Sequence, residues 1–306
     1  MEKIILPENY DYVSAFLTFR CNLNCSFCVN NSSSDSFQRN IYKEISGEEW
    51  VNVLNKIESP KNIPISFVGG EPSLHRDFIY ILNNLDSKLG IDLVTNLWWS
   101  DDKVDEFIDK VSPDRINNHS PFPSIRVSYH PEEMKEGEKL IKNAKKLKDA
   151  GFDIGVECIM YPSPSQLESL EKMAIKCRAD NIKFRPKSFI GIYKGKDDMG
   201  RFFSISHGDY SKYPKSAFSK KTYECMCKTS NLYISPSADV YRCQRDLLLM
   251  ENPIGNISNP EFQLENIFRK CKNYGQCHPC DVKVKTNSKQ ELGTTLVEIK
   301  QIKGAK

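Results

Sequence analysis

The apolar positions of the chain change period in a regular way. Tyr12 to Phe19, Ile63 to Val68, Ile91 to Thr95, Ile125 to Tyr129, Phe152 to Met160 and Ile182 to Arg185 are short runs rich in β-branched and aromatic residues, which predicts strands. Helical spacing fills the gaps, over Ser46 to Ile57, Asp77 to Leu89, Asp101 to Val111, Glu132 to Lys148 and Ser165 to Arg178. In the fourth of these, Glu132, Glu133, Glu136 and Glu138 crowd the start while Lys142, Lys145, Lys146 and Lys148 crowd the end, an order that complements a helix dipole. Repeated strand-helix units predict parallel strands joined by right-handed crossovers, as an open sheet or a partial barrel. In either form ligands collect at the loops that follow the strands.

The periodicity fades after Arg185, and a stretch rich in Lys, Gly, Ser and Tyr connects to a second part that opens at Tyr223. That part holds a hairpin, Asn231 to Ser235 and Val240 to Arg242, around the turn Pro236-Ser237-Ala238-Asp239. The boundaries read from this are 1–187, 188–222 and 223–306, with the Lys-rich stretch from Lys283 onward peripheral.

Composition narrows the function. Lys+Arg 43 against Asp+Glu 40 gives a net charge of +3 that is not gathered into a basic block, which argues against nucleic acid as an obligatory partner. Val13 to Phe19 is interrupted by Ser14 and Thr18, which excludes a signal peptide, and no segment has membrane-spanning length. The chain has 11 cysteines at tight spacings, which suits thiolates holding metal in a reducing cytoplasm better than a disulfide framework.

Directly after the first strand stands Cys21-Asn22-Leu23-Asn24-Cys25-Ser26-Phe27-Cys28, a CxxxCxxC loop. Three thiolates on one loop can hold three corners of a cubane iron-sulfur cluster and leave the fourth iron open. A zinc site is the bland alternative, but zinc favours four ligands and no fourth Cys or His lies nearby in sequence. After the second strand comes Gly69-Gly70-Glu71-Pro72. Together these motifs resemble the radical S-adenosylmethionine (SAM) superfamily. The resemblance spans about Tyr12 to Arg185 and implies a partial (β/α)6 barrel of parallel strands, an α/β fold class, with SAM and a 4Fe–4S cluster as cofactors. It further implies that Cys21, Cys25 and Cys28 are metal ligands and that Phe27 lies near the adenine. The GGEP residues Gly69, Gly70, Glu71 and Pro72 would meet the SAM amino group, the Glu71 carboxylate pairing with the ammonium. Thr95, Asn96, Ser128 and Arg185, at strand ends, would contact the ribose and carboxylate.

The second cysteine group, Cys225-x17-Cys243 followed by Cys277-x2-Cys280, resembles the auxiliary-cluster domain called twitch, a shortened relative of the SPASM domain. It implies a small Cys-rich β-hairpin domain holding one auxiliary 4Fe–4S cluster through Cys225, Cys243, Cys277 and Cys280. Cys227 and Cys271 compete as ligands, and a zinc ribbon is the alternative. The family's usual glycine at the hairpin turn is replaced here by Ala238.

The chemistry implied is reductive SAM cleavage to a 5′-deoxyadenosyl radical, which abstracts hydrogen from the substrate. A second cluster points to a two-electron oxidation of a small sugar-like or cyclitol substrate, with electrons from an external flavodoxin or ferredoxin. An epimerase with Cys158 or Cys227 as hydrogen donor, and a peptide-modifying enzyme, are the alternatives within the family. A non-catalytic zinc or iron-sulfur protein that regulates or binds RNA is the alternative outside it. Glu157, Tyr161 and Asp246 are acid-base candidates.

Overall fold

The computed structural model describes residues 3–26, 28, 43–117, 122–161, 163–188, 223–274 and 297–302. The first part alternates strands and helices: β1 (Tyr12–Thr18), α1 (Gly47–Leu54), β2 (Ile65–Gly69), α2 (Phe78–Asn84), β3 (Ile91–Thr95), α3 (Asp101–Lys110), β4 (Ile125–Tyr129), α4 (Pro131–Met134), α5 (Glu138–Asp149), β5 (Ile154–Met160), α6 (Pro164–Ala179) and β6 (Lys183–Ser188). Strands β1 to β6 lie side by side in chain order and all pair in parallel, the order of a partial-barrel wall.

Alternation along each strand sorts side chains between two faces. Val13, Ala15 and Leu17 join Ile65, Phe67, Ile91, Leu93, Ile125, Val127, Ile154 and Val156 in one core with the helix residues Trp50, Leu54, Ile81, Phe107 and Leu147. The opposite face carries Ser14, Phe16 and Thr18 and, by register, Ser66, Asp92, Arg126 and Glu157. Arg126 donates to both Asp92 carboxylate oxygens, and Ser66 donates to the same carboxylate at 2.8 Å. The inner face is therefore polar where the outer one is oily.

The single helix expected over Glu132 to Lys148 is two helices. Lys135 (φ 50°) and Gly137 (φ 67°) adopt positive φ between α4 and α5. A Cβ on Gly137 would lie 2.3 Å from Met173 Cε, so the break is also a packing contact with α6. Lys148 at the end of α5 donates to the Asp180 and Asn181 carbonyls, capping the neighbouring helix rather than its own.

The later part holds β7 (Tyr223–Thr229), β8 (Asn231–Ile234), β9 (Asp239–Tyr241), α7 (Gln244–Leu249), β10 (Gly255–Asn256), β11 (Arg269–Tyr274) and β12 (Val297–Gln301). The hairpin β8–β9 turns at Ala238, which takes the left-handed conformation (φ 67°) that glycine would adopt freely. Strand β8 pairs in parallel with β1, Asn231 opposite Tyr12 and Ile234 opposite Ala15, so the hairpin continues the barrel sheet. Tyr233 and Tyr241 of the hairpin pack with Phe16 and Phe19 of the barrel. Strand β12, in the stretch read as peripheral, pairs with β7, which also pairs with β11.

Candidate metal and cofactor site

The cysteine loop leaves β1 beside the turn that leaves β2, and the two backbones touch. Gly70 N–H donates to the Thr18 carbonyl at 2.9 Å and Glu71 N–H to the Arg20 carbonyl at 2.8 Å. A Cβ would sit 2.3 Å from Thr18 O at Gly69 and 2.1 Å from Arg20 O at Gly70, so both glycines are demanded by this approach. Arg20 in turn grips Glu44 through Nε and Nη2 and the Leu74 carbonyl at 2.8 Å.

Glu71 is held within the protein. It has no solvent exposure, and its carboxylate accepts from Thr95 Oγ1 (2.7 Å), Asn96 N (2.7 Å), Trp99 Nε1 (3.2 Å) and Ser73 N (3.3 Å). A carboxylate with four protein donors is a hub for the ends of β2 and β3. Pro72 opens a buried 3-10 turn over this hub. Thr95 is occupied likewise, since its hydroxyl also accepts Leu97 N at 3.0 Å. Asn143, on the buried face of α5, donates to the Leu97 and Trp99 carbonyls at 3.1 and 3.2 Å and holds the segment after β3. The signal for it was a polar residue interrupting the Leu140, Ala144, Leu147 stripe.

The three cysteines come together. Cys28 N–H donates to the Cys25 carbonyl at 3.2 Å, and Asn96 Nδ2 lies 3.7 Å from Cys21 Sγ and 2.7 Å from Asn22 Oδ1. Glu132, from α4, accepts from Ser26 N and, at 2.7 Å, from Ser26 Oγ, pinning the loop between its second and third cysteines. Burial raises the Cys25 thiol well above the ordinary thiol range, and the charges of Cys28, Glu132 and Cys21 raise it further. Three cysteine sulfurs carried on one short loop, close enough for Cys21 and Cys28 to act on Cys25, are the donor set of three corners of a cubane, so the residues fit a cluster. Among the described residues no three such side chains close on a single ion, whereas a cubane spreads its ligands over separate irons. Phe27 lies outside the described residues.

On the inner face Ser128 stands opposite Glu157 in register, and Glu157 stands opposite Arg185. Glu157 makes a close ion pair with Lys187, and its Oε1 lies 3.9 Å from Arg185 Nη1, whose guanidinium covers the Phe122 ring at 4.8 Å. Lys187 carried no sequence signal beyond its place two residues after Arg185. Cys158 is on the other face, buried in the helix-packed core, with a thiol pushed up to about 12 by burial and donating to the Ile159 carbonyl. That placement removes it as a hydrogen donor to the barrel interior.

In the later part Cys225 on β7 and Cys271 on β11 are direct partners across the two strands. The Cys271 contact, then burial, raises the Cys225 thiol. Cys243 opens α7, its sulfur accepting Asp246 N at 3.5 Å. Cys243 and Cys271 line a cavity of about 870 Å³ together with Arg242, Arg245, Asp246, Glu251 and Lys270. Asp246 is committed to Arg242 (2.8 Å) and Arg245 (3.2 Å), which takes it out of the acid-base candidates. Cys227 is buried in β7 opposite Arg269, and Cys277 and Cys280 lie outside the described residues.

Residues 16–174 match the family model described as Radical SAM superfamily. The chain is 26% identical over 164 residues to the radical SAM cyclopropyl synthase TigE of Paramaledivibacter caminithermalis, covering 48% of this chain and 34% of that protein. It is 38% identical over 80 residues to a probable GTP 3',8-cyclase of Methanocella arvoryzae (26% of this chain, 24% of that protein). It is also 30% identical over 81 residues to the PqqA peptide cyclase of Bradyrhizobium diazoefficiens (26% and 20%). The chain thus spans about a third or less of these relatives' own length. In structure it resembles Streptococcus suis SuiB bound to S-adenosylmethionine, with TM-score 0.55 and 12% identity, over 84% of this chain and 65% of that one. No described helix is long and apolar enough to cross a membrane.

Proposed function

The chain belongs to the radical SAM superfamily, whose cofactors are SAM and a 4Fe–4S cluster, and from that premise we propose that it catalyses a net two-electron oxidation of an organic substrate. The observation that carries this reading is the gathering of Cys21, Cys25 and Cys28 on one loop laced through Asn96 to the buried Glu71. Those three cysteines would hold the cluster, and the Gly69-Gly70 backbone, Phe27, Ser128 and Arg185 would border SAM. When bound, these groups supply the electron that cleaves SAM and the radical that takes hydrogen from the substrate. The protein's part is positioning. The glycine turn fixes the loop's root, Glu132 fixes its middle, and Phe16 and Val68 give the inner face a side that repels water.

Cys225, Cys243, Cys277 and Cys280 would hold an auxiliary cluster, the natural acceptor for the second electron. Joining two hydrogen-bearing atoms with loss of both hydrogens is a two-electron oxidation, in the same redox class as dehydrogenation, whereas closing a ring by addition to an unsaturated carbon is redox-neutral. The relatives' names, a cyclopropyl synthase and two cyclases, favour ring closure and give no support to a sugar-like or cyclitol substrate. Their named substrates include GTP and a peptide, so the proposal rests on reaction type and leaves the small-molecule preference behind. The epimerase alternative loses its first donor with Cys158 on the helix-packed face.

Anaerobic reconstitution followed by iron counting and electron paramagnetic resonance tests the proposal. About eight irons should fall to about four in a Cys21, Cys25, Cys28→Ala triple variant, which should also stop forming 5′-deoxyadenosine. A fall from about four irons to none would remove the second cluster and with it the oxidation.

A further inference from the structure

Asn96 joins the buried carboxylate of Glu71, through its backbone, to Cys21 of the cysteine loop, through its side chain. It is 6% exposed, and its backbone N–H donates to Glu71 Oε2 at 2.7 Å. Its side-chain oxygen accepts Trp98 N at 2.8 Å, which fixes the orientation of the amide, because only the oxygen can accept there. The NH2 group therefore faces the cysteine loop, with Asn22 Oδ1 at 2.7 Å and Cys21 Sγ at 3.7 Å. The sequence reading gave Asn96 to SAM, but the amide is already engaged on both sides by protein.

We propose that Asn96 sets the reduction potential of the cluster by donating a hydrogen bond to the Cys21 sulfur. The inference rests on Cys21 being a cluster ligand. A donor at a ligating sulfur withdraws charge from it and stabilises the reduced, more negative cluster, so the bond raises the potential. The NH2 group has two hydrogens, so one serves Asn22 Oδ1 while the other serves the sulfur, and the Asn22 amide is itself tied to the Trp98 carbonyl at 3.3 Å. Removing the Asn96 amide abolishes the bond to the sulfur, whereas removing Asn22 Oδ1 leaves that bond in place. The two changes loosen the same loop, but only the first alters the charge at the sulfur.

The experiment is a redox titration of the reconstituted full chain, following the electron paramagnetic resonance signal that SAM perturbs, in wild type, N96A, N96D and N22A. At a fixed poise near the wild-type midpoint, N96A lowers the reduced-to-oxidised ratio about fivefold, the weight of one hydrogen bond. N96D lowers it further by placing a carboxylate at the sulfur, and N22A, which loosens the same loop but keeps the donor, leaves it near the wild-type value. If N96A does not load iron, N96D decides. A ratio that stays unchanged in N96A and N96D, or that falls as far in N22A as in N96A, overturns the proposal. A wild-type chain with no SAM-responsive signal overturns the ligand assignment on which it rests, and an intact signal with an indifferent potential overturns this inference alone.

Discussion

A carboxylate without solvent contact must find its donors inside the protein, and Glu71 finds four, one from neighbouring Ser73 and three from Thr95, Asn96 and Trp99. Glu71→Gln replaces an acceptor by an NH2 group facing donors. Urea unfolding should show a loss of about 2 kcal/mol. Had Glu71 served a ligand ammonium, the variant would lose SAM affinity at unchanged stability, and that result would sink the hub assignment. The motif was legible as GGEP, but its hub role was not, because three of the four donors arrive from β3 and its following segment, 24 to 28 positions away. Two histidines add a pH dependence. Burial pulls His130 down to about 4 and lowers His75 as well, so both stay neutral in the folded state while the unfolded chain takes up protons near pH 6.5. A depressed folded pKa contributes stability that is present above the unfolded value and lost as pH falls through the folded one. Thermal midpoints should therefore decline between pH 6.5 and pH 4, and His75→Gln should flatten part of that slope. Carboxylates contribute at the acid end, so the comparison is between variant and parent at each pH.

At the scale of elements the strand runs read from β-branched clustering match because a strand buried on one face leaves a local signal. The bounds of β3 and β4 coincide with the sequence reading. The fourth helix shows where local reading stops. Its charge order was real, yet Gly137 lies inside the run, and the break there depends on Met173 and Tyr129, which no local pattern reveals. Gly137→Ala should cost roughly 1–2 kcal/mol from the left-handed backbone alone, with more from the crowded Cβ. Because α4 carries Glu132, the cost should reach the cysteine loop. We expect Gly137→Ala to retain less iron after gel filtration than wild type, and Glu132→Gln to retain less at nearly unchanged stability. Equal iron retention in both variants and wild type would show that α4 does not support the loop.

The molecule as a whole is organised by a seam that spacing could not disclose. The cysteine pattern and the hairpin were readable in sequence, but the pairing of β8 with β1 spans more than two hundred positions. The same seam joins Tyr233 and Tyr241 to Phe16 and Phe19, and it places Leu232 and Ile234 in the core shared with α1 and β2. This arrangement makes the hairpin a geometric continuation of the barrel and predicts that the two are coupled energetically. The three tryptophans, Trp50, Trp98 and Trp99, all lie in the first part, so tryptophan fluorescence reports unfolding there alone. Leu232→Ala removes a fully buried side chain from the hairpin and should cost about 2–5 kcal/mol. If the sheet unfolds as one cooperative body, that cost moves the tryptophan transition in urea to lower concentration and keeps it coincident with the far-ultraviolet circular dichroism. If the part beyond residue 222 were an independent domain, the tryptophan transition would stay where it is in wild type and only a fraction of the dichroism would move. Cooperativity across this seam would mean that stability lost at the second cysteine group is felt at the first.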